Sequence, residues 1–308
     1  MANVTYSELE IESTGTRIVL SVWEPMEPVV PEVVIVFTPA TMVHPLMYEP
    51  LLSGFAKQGF AVVGVHPIGH GKSPRDVKRY TIKDIVQNGR DAVTFALERY
   101  DLPVVVMGAS QGGLVTAAIS AEDDRVAAAF PNNVILIELP ESAGISHFPK
   151  WMWRFHRQMK ALFKFAAFLL PDLQVPVRYY LKYKRVSKNR TFWNKAQEDK
   201  YCLRHYSLHF LSSLFTTQFP GLTNGSIKCP LYLITDSGDG LFTPPYVEKV
   251  FANLKAPYKE MITFHLNDHM LMANHPQEVC ERLTPLVRQY ANTNTTHNEN
   301  TSREDKVN

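Results

Sequence analysis

Cysteine is scarce in this chain of 308 residues: Cys202, Cys229 and Cys280 are odd in number and scattered without metal-ligand spacing. A complete disulfide framework is excluded, and the three thiols are expected to be reduced and inert. Long apolar runs are missing as well. No stretch reaches the roughly 18 residues that a membrane-spanning helix needs. The first residues, Met1-Ala2-Asn3-Val4-Thr5-Tyr6-Ser7, lack the basic region and apolar stretch of a secretory signal, so a soluble, cytoplasmic protein is expected. Internal repeats and the signatures of nucleic-acid-binding folds are also absent, and no nucleic-acid partner is expected.

Net charge is nearly absent too, at a formal +2. The small total hides an asymmetry. Between residues 150 and 190, eleven Lys and Arg stand against one acid, Asp172, a balance of +10, and the remainder of the chain carries −8. Such a distribution marks the face that meets an anionic partner and says nothing of the fold. Peripheral contact with an anionic membrane through residues 150–190 is one expectation drawn from it.

With 45% hydrophobic and 20% charged residues the chain has globular composition. Residues 1 to about 134 alternate between the periods of strand and helix. Ser7–Ser13 and Arg17–Trp23 read as antiparallel edge strands around Thr14-Gly15. Val33–Phe37, five consecutive apolar residues, reads as a strand buried on both faces. Pro50–Gly59 suggests a helix, Ala61–Val65 the next strand, Thr81–Tyr100 a long amphipathic helix, and Val104–Met107 a further strand. Between about 135 and 222 helical, aromatic and basic segments accumulate without clear strands. The alternation then resumes with a strand at Leu231–Thr235, a helix at Pro245–Leu254, a strand at Lys259–His265 and a helix at Pro276–Tyr290. Neither flanking piece can close a sheet alone. The expected architecture is therefore one α/β unit, mostly parallel with helices on both faces, made of residues 1–134 and 223–290. Residues 135–222 form a helical lid inserted into it, and the Asn/Thr-rich tail 291–308 is expected to be disordered.

The chemistry is concentrated at Gly108-Ala109-Ser110-Gln111-Gly112-Gly113, which follows the apolar run Val104–Met107 and leads into Leu114-Val115-Thr116-Ala117-Ala118-Ile119. A serine on a sharp turn from strand to helix is a nucleophile elbow, and Gly108 and Gly112 are small because the turn is too tight for larger side chains. A serine hydroxyl needs a base within hydrogen-bond reach and a third group to orient that base. The strand at Leu231–Thr235 runs into Asp236-Ser237-Gly238-Asp239-Gly240, and Asp239 sits where a carboxylate can reach back across the sheet edge; Asp236 is the competitor. After the next strand, Phe264-His265-Leu266-Asn267-Asp268-His269 offers His269 beyond the strand end, with His265 still within it. The order Ser110, Asp239, His269 is the order of the α/β-hydrolase triad.

On these residues the chain resembles the α/β-hydrolase superfamily, and within it the lysophospholipase and monoacylglycerol-lipase branch, similar to serine aminopeptidases of the S33 kind. The resemblance covers about residues 15–134 and 225–290. It is also carried by Gly69-His70-Gly71-Lys72-Ser73, similar to the family's Gly-His-Gly-x-Ser turn, and by Asp268-His269 followed by His275-Pro276-Gln277-Glu278. It implies an α/β-hydrolase fold and serine hydrolase activity without a cofactor. One departure stands out: the third strand of the family usually ends in His-Gly, and here it ends in Thr38-Pro39-Ala40-Thr41-Met42. That loop is expected to donate one backbone N–H to a developing oxyanion, and Gln111 the other. Pro39 has no N–H, which leaves Ala40 as the better donor and Thr41 as the alternate. His44, His66 and His70 lie near the same sheet edge, but no carboxylate or cysteine spacing completes a metal site, and none is expected.

Trp151–Leu170 has a helical period with Trp151, Met152, Phe155, Met159, Leu162, Phe163, Ala166, Leu169 and Leu170 on one arc and Arg157, Lys160 and Lys164 opposite. The arc is expected to roof an acyl pocket, with Trp151, Phe155, Met159 and Leu162 against substrate. The expected reaction is hydrolysis of a carboxylic ester with an apolar acyl chain, lysophospholipid or monoacylglycerol-like, through an acyl-enzyme. Thioester or lactone hydrolysis uses the same machinery and stays open, as does a binding or scaffold role on a hydrolase fold with the basic insert as its working surface.

Overall fold

The computed structural model describes residues 2–77, 79–145, 150–181, 183–186 and 190–291. Strand β1 (Val4–Ser13) pairs antiparallel with β2 (Thr16–Pro25) in the register Leu9 opposite Leu20, around the tight turn Thr14-Gly15. Strand β3 (Val34–Thr38) is wholly buried, as its unbroken apolar run requires of a strand covered on both faces. Helix α1 (Glu49–Lys57), β4 (Ala61–His66), α2 (Ile82–Tyr100), β5 (Val104–Ala109) and α3 (Gln111–Glu122) follow. The start of α2 is set by a capping box in which Thr81 and Asp84 satisfy each other's backbone N–H groups. The elements expected here lie within two residues of their bounds, except that β1 begins three residues earlier, at Val4.

Strand β6 (Val126–Asn132) was not picked out by the periodicity, because its run of alanines carries no β-branched signal. After the insert the chain returns through β9 (Leu231–Asp236) and β10 (Lys259–Phe264). The eight strands take the order β1-β2-β4-β3-β5-β6-β9-β10, antiparallel at β1, β2 and β4 and parallel from β4 onward. Helix α1 packs on the C-terminal helix Pro276–Arg288, and α2 on α3, so the sheet is covered in two layers. The carboxyl ends of β3, β5, β6, β9 and β10 all reach one edge, where an open parallel sheet binds ligands.

The segment between β6 and β9 holds α4 (His156–Leu169), β7 (Gln174–Pro176), α5 (Tyr183–Val186), α6 (Arg190–Glu198), β8 (His205–Ser207), α7 (Leu208–Thr216) and α8 (Gly221–Asn224). Two expectations change here. The helix read over Trp151–Leu170 is a 3-10 stretch, Lys150–Phe155, followed by α4, and the segment is not strandless, since β7 and β8 pair antiparallel as a small second sheet. The expectation of disorder for the tail lies outside the described residues from 292 onward. The remaining helices are α9 (Pro244–Asn253), α10 (Leu271–Asn274) and α11, the C-terminal helix named above. No described helix is long and apolar enough to cross a membrane.

Candidate active site

Ser110 occupies φ 55° and ψ −112°, a left-handed backbone that a non-glycine residue adopts only when its surroundings hold it there. Its N–H donates to the Asn132 carbonyl (2.8 Å), and its own carbonyl accepts from Gly113 and Leu114 at the start of α3. The neighbouring glycines are demanded by space. A Cβ on Gly108 would lie 2.3 Å from Thr38 Oγ1, and one on Gly112 2.1 Å from the Thr38 carbonyl oxygen.

His269 Nε2 lies 2.9 Å from Ser110 Oγ, and its Nδ1 lies 2.7 Å from Asp239 Oδ2. The imidazole and the carboxylate are almost fully buried. Asp239 is oriented on both sides: Oδ1 accepts the backbone N–H of Leu241 (2.7 Å) and Phe242 (2.9 Å), and Oδ2 also accepts from Asn133 Nδ2 (3.0 Å). The Phe242 ring stacks on the imidazole at 5.3 Å and 7°. The competitors sit elsewhere. Asp236 accepts from Gly238 N (2.8 Å) and Leu266 N (2.6 Å), which ties the end of β9 to the loop after β10. His265 is exposed and bonded to Ser237 Oγ at 2.7 Å.

Gln111 is the first residue of α3, so its N–H has no acceptor within the helix. Ala40 and Thr41 line a cavity together with Ser110 and His269. Thr38, at the end of β3 where the family usually has His-Gly, fastens this loop to the elbow: its hydroxyl donates to the Gly112 carbonyl (2.9 Å) and meets Thr116 Oγ1 at 3.0 Å. The Thr41 hydroxyl donates to Gln111 Oε1 (3.1 Å), which ties the loop after β3 to the first residue of α3.

Two small cavities open on Ser110. One is roofed by Leu181, Val186, Phe192 and Trp193, the other by Tyr180, Leu181, Leu214 and Phe215 above Ile135 and Leu241. At about 20 and 30 Å³ each has room for roughly one water molecule. The expected lid residues Trp151, Phe155, Met159 and Leu162 line neither. Helix α4 turns Met159, Phe163 and Ala167 inward against α7 and leaves Leu162, Phe165, Phe168 and Leu169 exposed, as is Phe155 just before it. Both sides of this helix are apolar, so its period could not say which one faces the protein.

The histidines near the sheet edge have separate tasks. His66 Nδ1 accepts the Lys72 N–H (3.0 Å), which leaves Nε2–H to donate to Ser21 Oγ (2.9 Å), and burial pushes its pKa down to about 3. His70 belongs to a chain that crosses from the loop after β3 to the insert. The Met42 N–H donates to the Tyr206 hydroxyl (2.8 Å), which donates to His70 Nε2 (2.7 Å), whose Nδ1–H donates to the Ile68 carbonyl (2.9 Å). Burial lowers His70 to about 4. The Met42 carbonyl in turn accepts Leu203 N–H (2.8 Å), so the insert holds this residue by both backbone groups. Asn133, Phe242 and Tyr206 were not expected at the site. Only Asn133, an asparagine just after a strand and able to take the left-handed conformation it shows, left a trace in the sequence.

Sheet order, elbow and insertion point together define the α/β-hydrolase class. Residues 30–276 match the family model described as "Serine aminopeptidase, S33", and the chain belongs to that family. Solved structures agree on the fold. A monoacylglycerol lipase from Paleococcus ferrophilus is 18% identical with a TM-score of 0.68, over 93% of this chain and 99% of that one. A soluble variant of monoglyceride lipase from Saccharomyces cerevisiae, in complex with a substrate analogue, is 11% identical with a TM-score of 0.72, over 92% and 94%. The α/β hydrolase GrgF from Penicillium sp. sh18 is 16% identical with a TM-score of 0.69, over 93% and 99%. A search of curated proteins finds no relative in sequence.

Proposed function

We propose that the chain is a serine hydrolase that cleaves carboxylic esters carrying an apolar acyl chain, of the monoacylglycerol or lysophospholipid kind, through an acyl-enzyme. The observation that carries the reading is the line of contacts from Ser110 Oγ through His269 to Asp239 on a strained elbow. Ser110 Oγ attacks the carbonyl carbon while His269 Nε2 takes its proton; the C–O bond to the alcohol breaks as His269 returns the proton to the leaving oxygen. Water then repeats the sequence on the acyl-enzyme and frees the acid. Asp239 holds Nδ1–H so that Nε2 keeps its lone pair for Ser110. The N–H groups of Gln111 and Ala40 receive the oxyanion.

The apolar roof over Ser110 supports an acyl substrate, and the small size of the cavities beneath it implies that Leu181, Phe192, Trp193 and Leu214 move aside for a chain to enter. The names of the monoacylglycerol lipase neighbours point the same way. The outward face of α4 supports a second part of the reading, contact with an anionic lipid surface. Leu162, Phe165, Phe168 and Leu169 are each more than half exposed, in an interfacial pattern with Arg154, Arg157 and Lys164 beside them.

The decisive experiment is Ser110→Ala with a fluorophosphonate probe and a panel of ester, thioester and lactone substrates. Hydrolysis and labelling are expected to vanish with the fold intact. Undiminished labelling of the variant would defeat the assignment, and a panel favouring thioesters or lactones would redirect the substrate class.

A further inference from the structure

One cluster at the same sheet edge takes no part in the hydrolytic reading. His44, five residues past Pro39 on the loop after β3, faces Asp199 and Cys202 at the end of α6 and beyond it. His44 Nε2 lies 3.1 Å from Asp199 Oδ2, and the Cys202 sulfur completes a trio whose ligand atoms all lie within 4.8 Å of one another. We propose that His44, Asp199 and Cys202 form a three-ligand site for Zn²⁺ that pins the insert to the loop beside Ser110.

The donor set is chemically selective. One imidazole nitrogen, one carboxylate oxygen and one sulfur suit zinc and its borderline neighbours, while Mg²⁺ and Ca²⁺ require oxygen shells. The spacing fits as well: two ligand atoms about 2.0–2.1 Å from a tetrahedral ion are about 3.3 Å apart, against the 3.1 Å found here between His44 and Asp199. Both side chains on the insert sit on one turn, with Cys202 N–H donating to the Asp199 carbonyl (3.3 Å). The second Asp199 oxygen is held by Tyr201 N–H (2.7 Å), which aims Oδ2 at the histidine. His44 is 1% exposed, stacked on His66 at 5.8 Å and edge-on to Tyr201 at 5.9 Å. Its Nδ1 has no hydrogen-bond partner among the described residues. The ring is therefore free to carry its proton on Nδ1 and present the Nε2 lone pair.

Without a metal, burial keeps His44 neutral and pushes the Cys202 thiol up to about 12. On coordination the thiol proton leaves to solvent, and thiolate plus carboxylate bring −2 against the +2 of the ion. Lys72 and Arg75 beside His44, and Arg75, Lys195 and Arg204 around Cys202, favour that anionic pair while opposing the bare cation. Asp199 remains part-exposed, and that side offers the fourth position to water.

The test uses the full chain and the metal alone. ZnCl₂ is titrated in competition with a chromophoric chelator, and Co²⁺ serves as a spectroscopic surrogate. One equivalent is expected to bind to the wild type and to Ser110→Ala alike, with a sulfur-to-cobalt charge-transfer band and a rise in Tm. Cys202→Ser and His44→Ala are expected to weaken binding about tenfold or more and to abolish both the band and the Tm rise. Cys229→Ser and Cys280→Ser are expected to keep them. Binding of one equivalent that survives Cys202→Ser, a cobalt spectrum without the thiolate band, or no stoichiometric binding would overturn the site and leave His44 and Asp199 as a hydrogen-bonded pin. These outcomes are separate from the hydrolytic reading, because metal binding is read without turnover and is expected to persist in Ser110→Ala.

Discussion

His269 lies between an acceptor on one side and a donor on the other, and the pair fixes its tautomer. With Nδ1–H directed at Asp239 and Nε2 open to the Ser110 hydroxyl, the ring already has the form that the proposed role as a base requires. Asp239→Asn turns the acceptor into an amide that can favour the opposite tautomer. Turnover is expected to fall by about 10⁴, the scale of the corresponding change in serine proteases, with the melting temperature little altered. Asp236→Asn is expected to behave in reverse, losing stability and keeping most turnover, because its carboxylate serves two backbone N–H groups at the turn and does not face the serine. Parallel kinetics and thermal melts of the two variants check this, with His265→Ala as a control that should remain active. If Asp236→Asn were the inactive, folded variant, the orienting carboxylate would be misassigned.

At the scale of elements, the loop after β3 depends on the insert for its shape. Met42 has φ 67°, and its N–H and carbonyl are both held from the insert, by the Tyr206 hydroxyl and Leu203 N–H. Tyr206→Phe leaves the Met42 N–H and His70 Nε2 buried without their partner, which is expected to cost about 1–3 kcal/mol of stability. Because the proposed oxyanion donor Ala40 is two residues away, kcat is expected to fall while KM for a short soluble ester stays nearly constant, since such a donor acts chiefly in the transition state. A change confined to KM would show that the chain of hydrogen bonds shapes only the substrate entrance.

The insert divides its apolar residues between two surfaces, and substitutions should separate them. Leu214→Asp, at the roof over Ser110, is expected to depress long-chain ester hydrolysis far more than acetate-ester hydrolysis. Each methylene that enters contributes up to about 0.8 kcal/mol when fully buried. The Leu162→Asp, Phe168→Asp pair on the outward face of α4 is expected to leave soluble-ester rates alone and weaken binding to anionic vesicles. Arg157→Glu with Lys164→Glu should do the same and reduce the salt dependence. Lys160 is a poor choice for that experiment, since its ammonium is partly buried and donates to the Ile137 carbonyl. A flat profile of rate against acyl length would reject the roofed acyl pocket, and equal vesicle binding by all variants would remove the lipid surface.

For the molecule as a whole, buried histidines make stability depend on pH. His66 and His70 titrate near 3 and 4 in the folded chain, while an unfolded histidine titrates near 6.5. The unfolded chain therefore binds more protons between those limits. The stability these groups contribute is complete above about pH 6.5 and is lost as the pH falls toward 4. Between pH 7.5 and 5 the loss should be roughly 2 kcal/mol for each histidine, and His44, lowered in the same direction by burial, adds to it. Lowered carboxylates such as Asp123 and Glu141 act only at more acidic pH. Urea denaturation at the two pH values checks the slope, and equal stability at pH 7.5 and 5 would mean that these rings take up their protons in the folded protein at the same pH as in the unfolded chain.

The sequence by itself determined what rests on short-range patterning. The elbow could be read because a strand, a tight turn and a helix are local and glycine is the only residue that fits beside Gly112 O and Thr38 O. Asp239 and His269 could be read because each follows a strand and a parallel sheet delivers such loops to one edge. The alanine-rich β6 escaped because burial, not propensity, makes it a strand. Only the tertiary structure decided what depends on residues far apart in the chain. It chose Leu181, Phe192 and Leu214 over Trp151 and Leu162 as neighbours of the serine, and it set His44 against Asp199, 155 positions away. A period of 3.6 residues identifies a helix and its stripes, but when both sides are apolar the choice between them belongs to the partner helix. Contacts between an insert and a sheet edge are long-range pairings that no local period encodes.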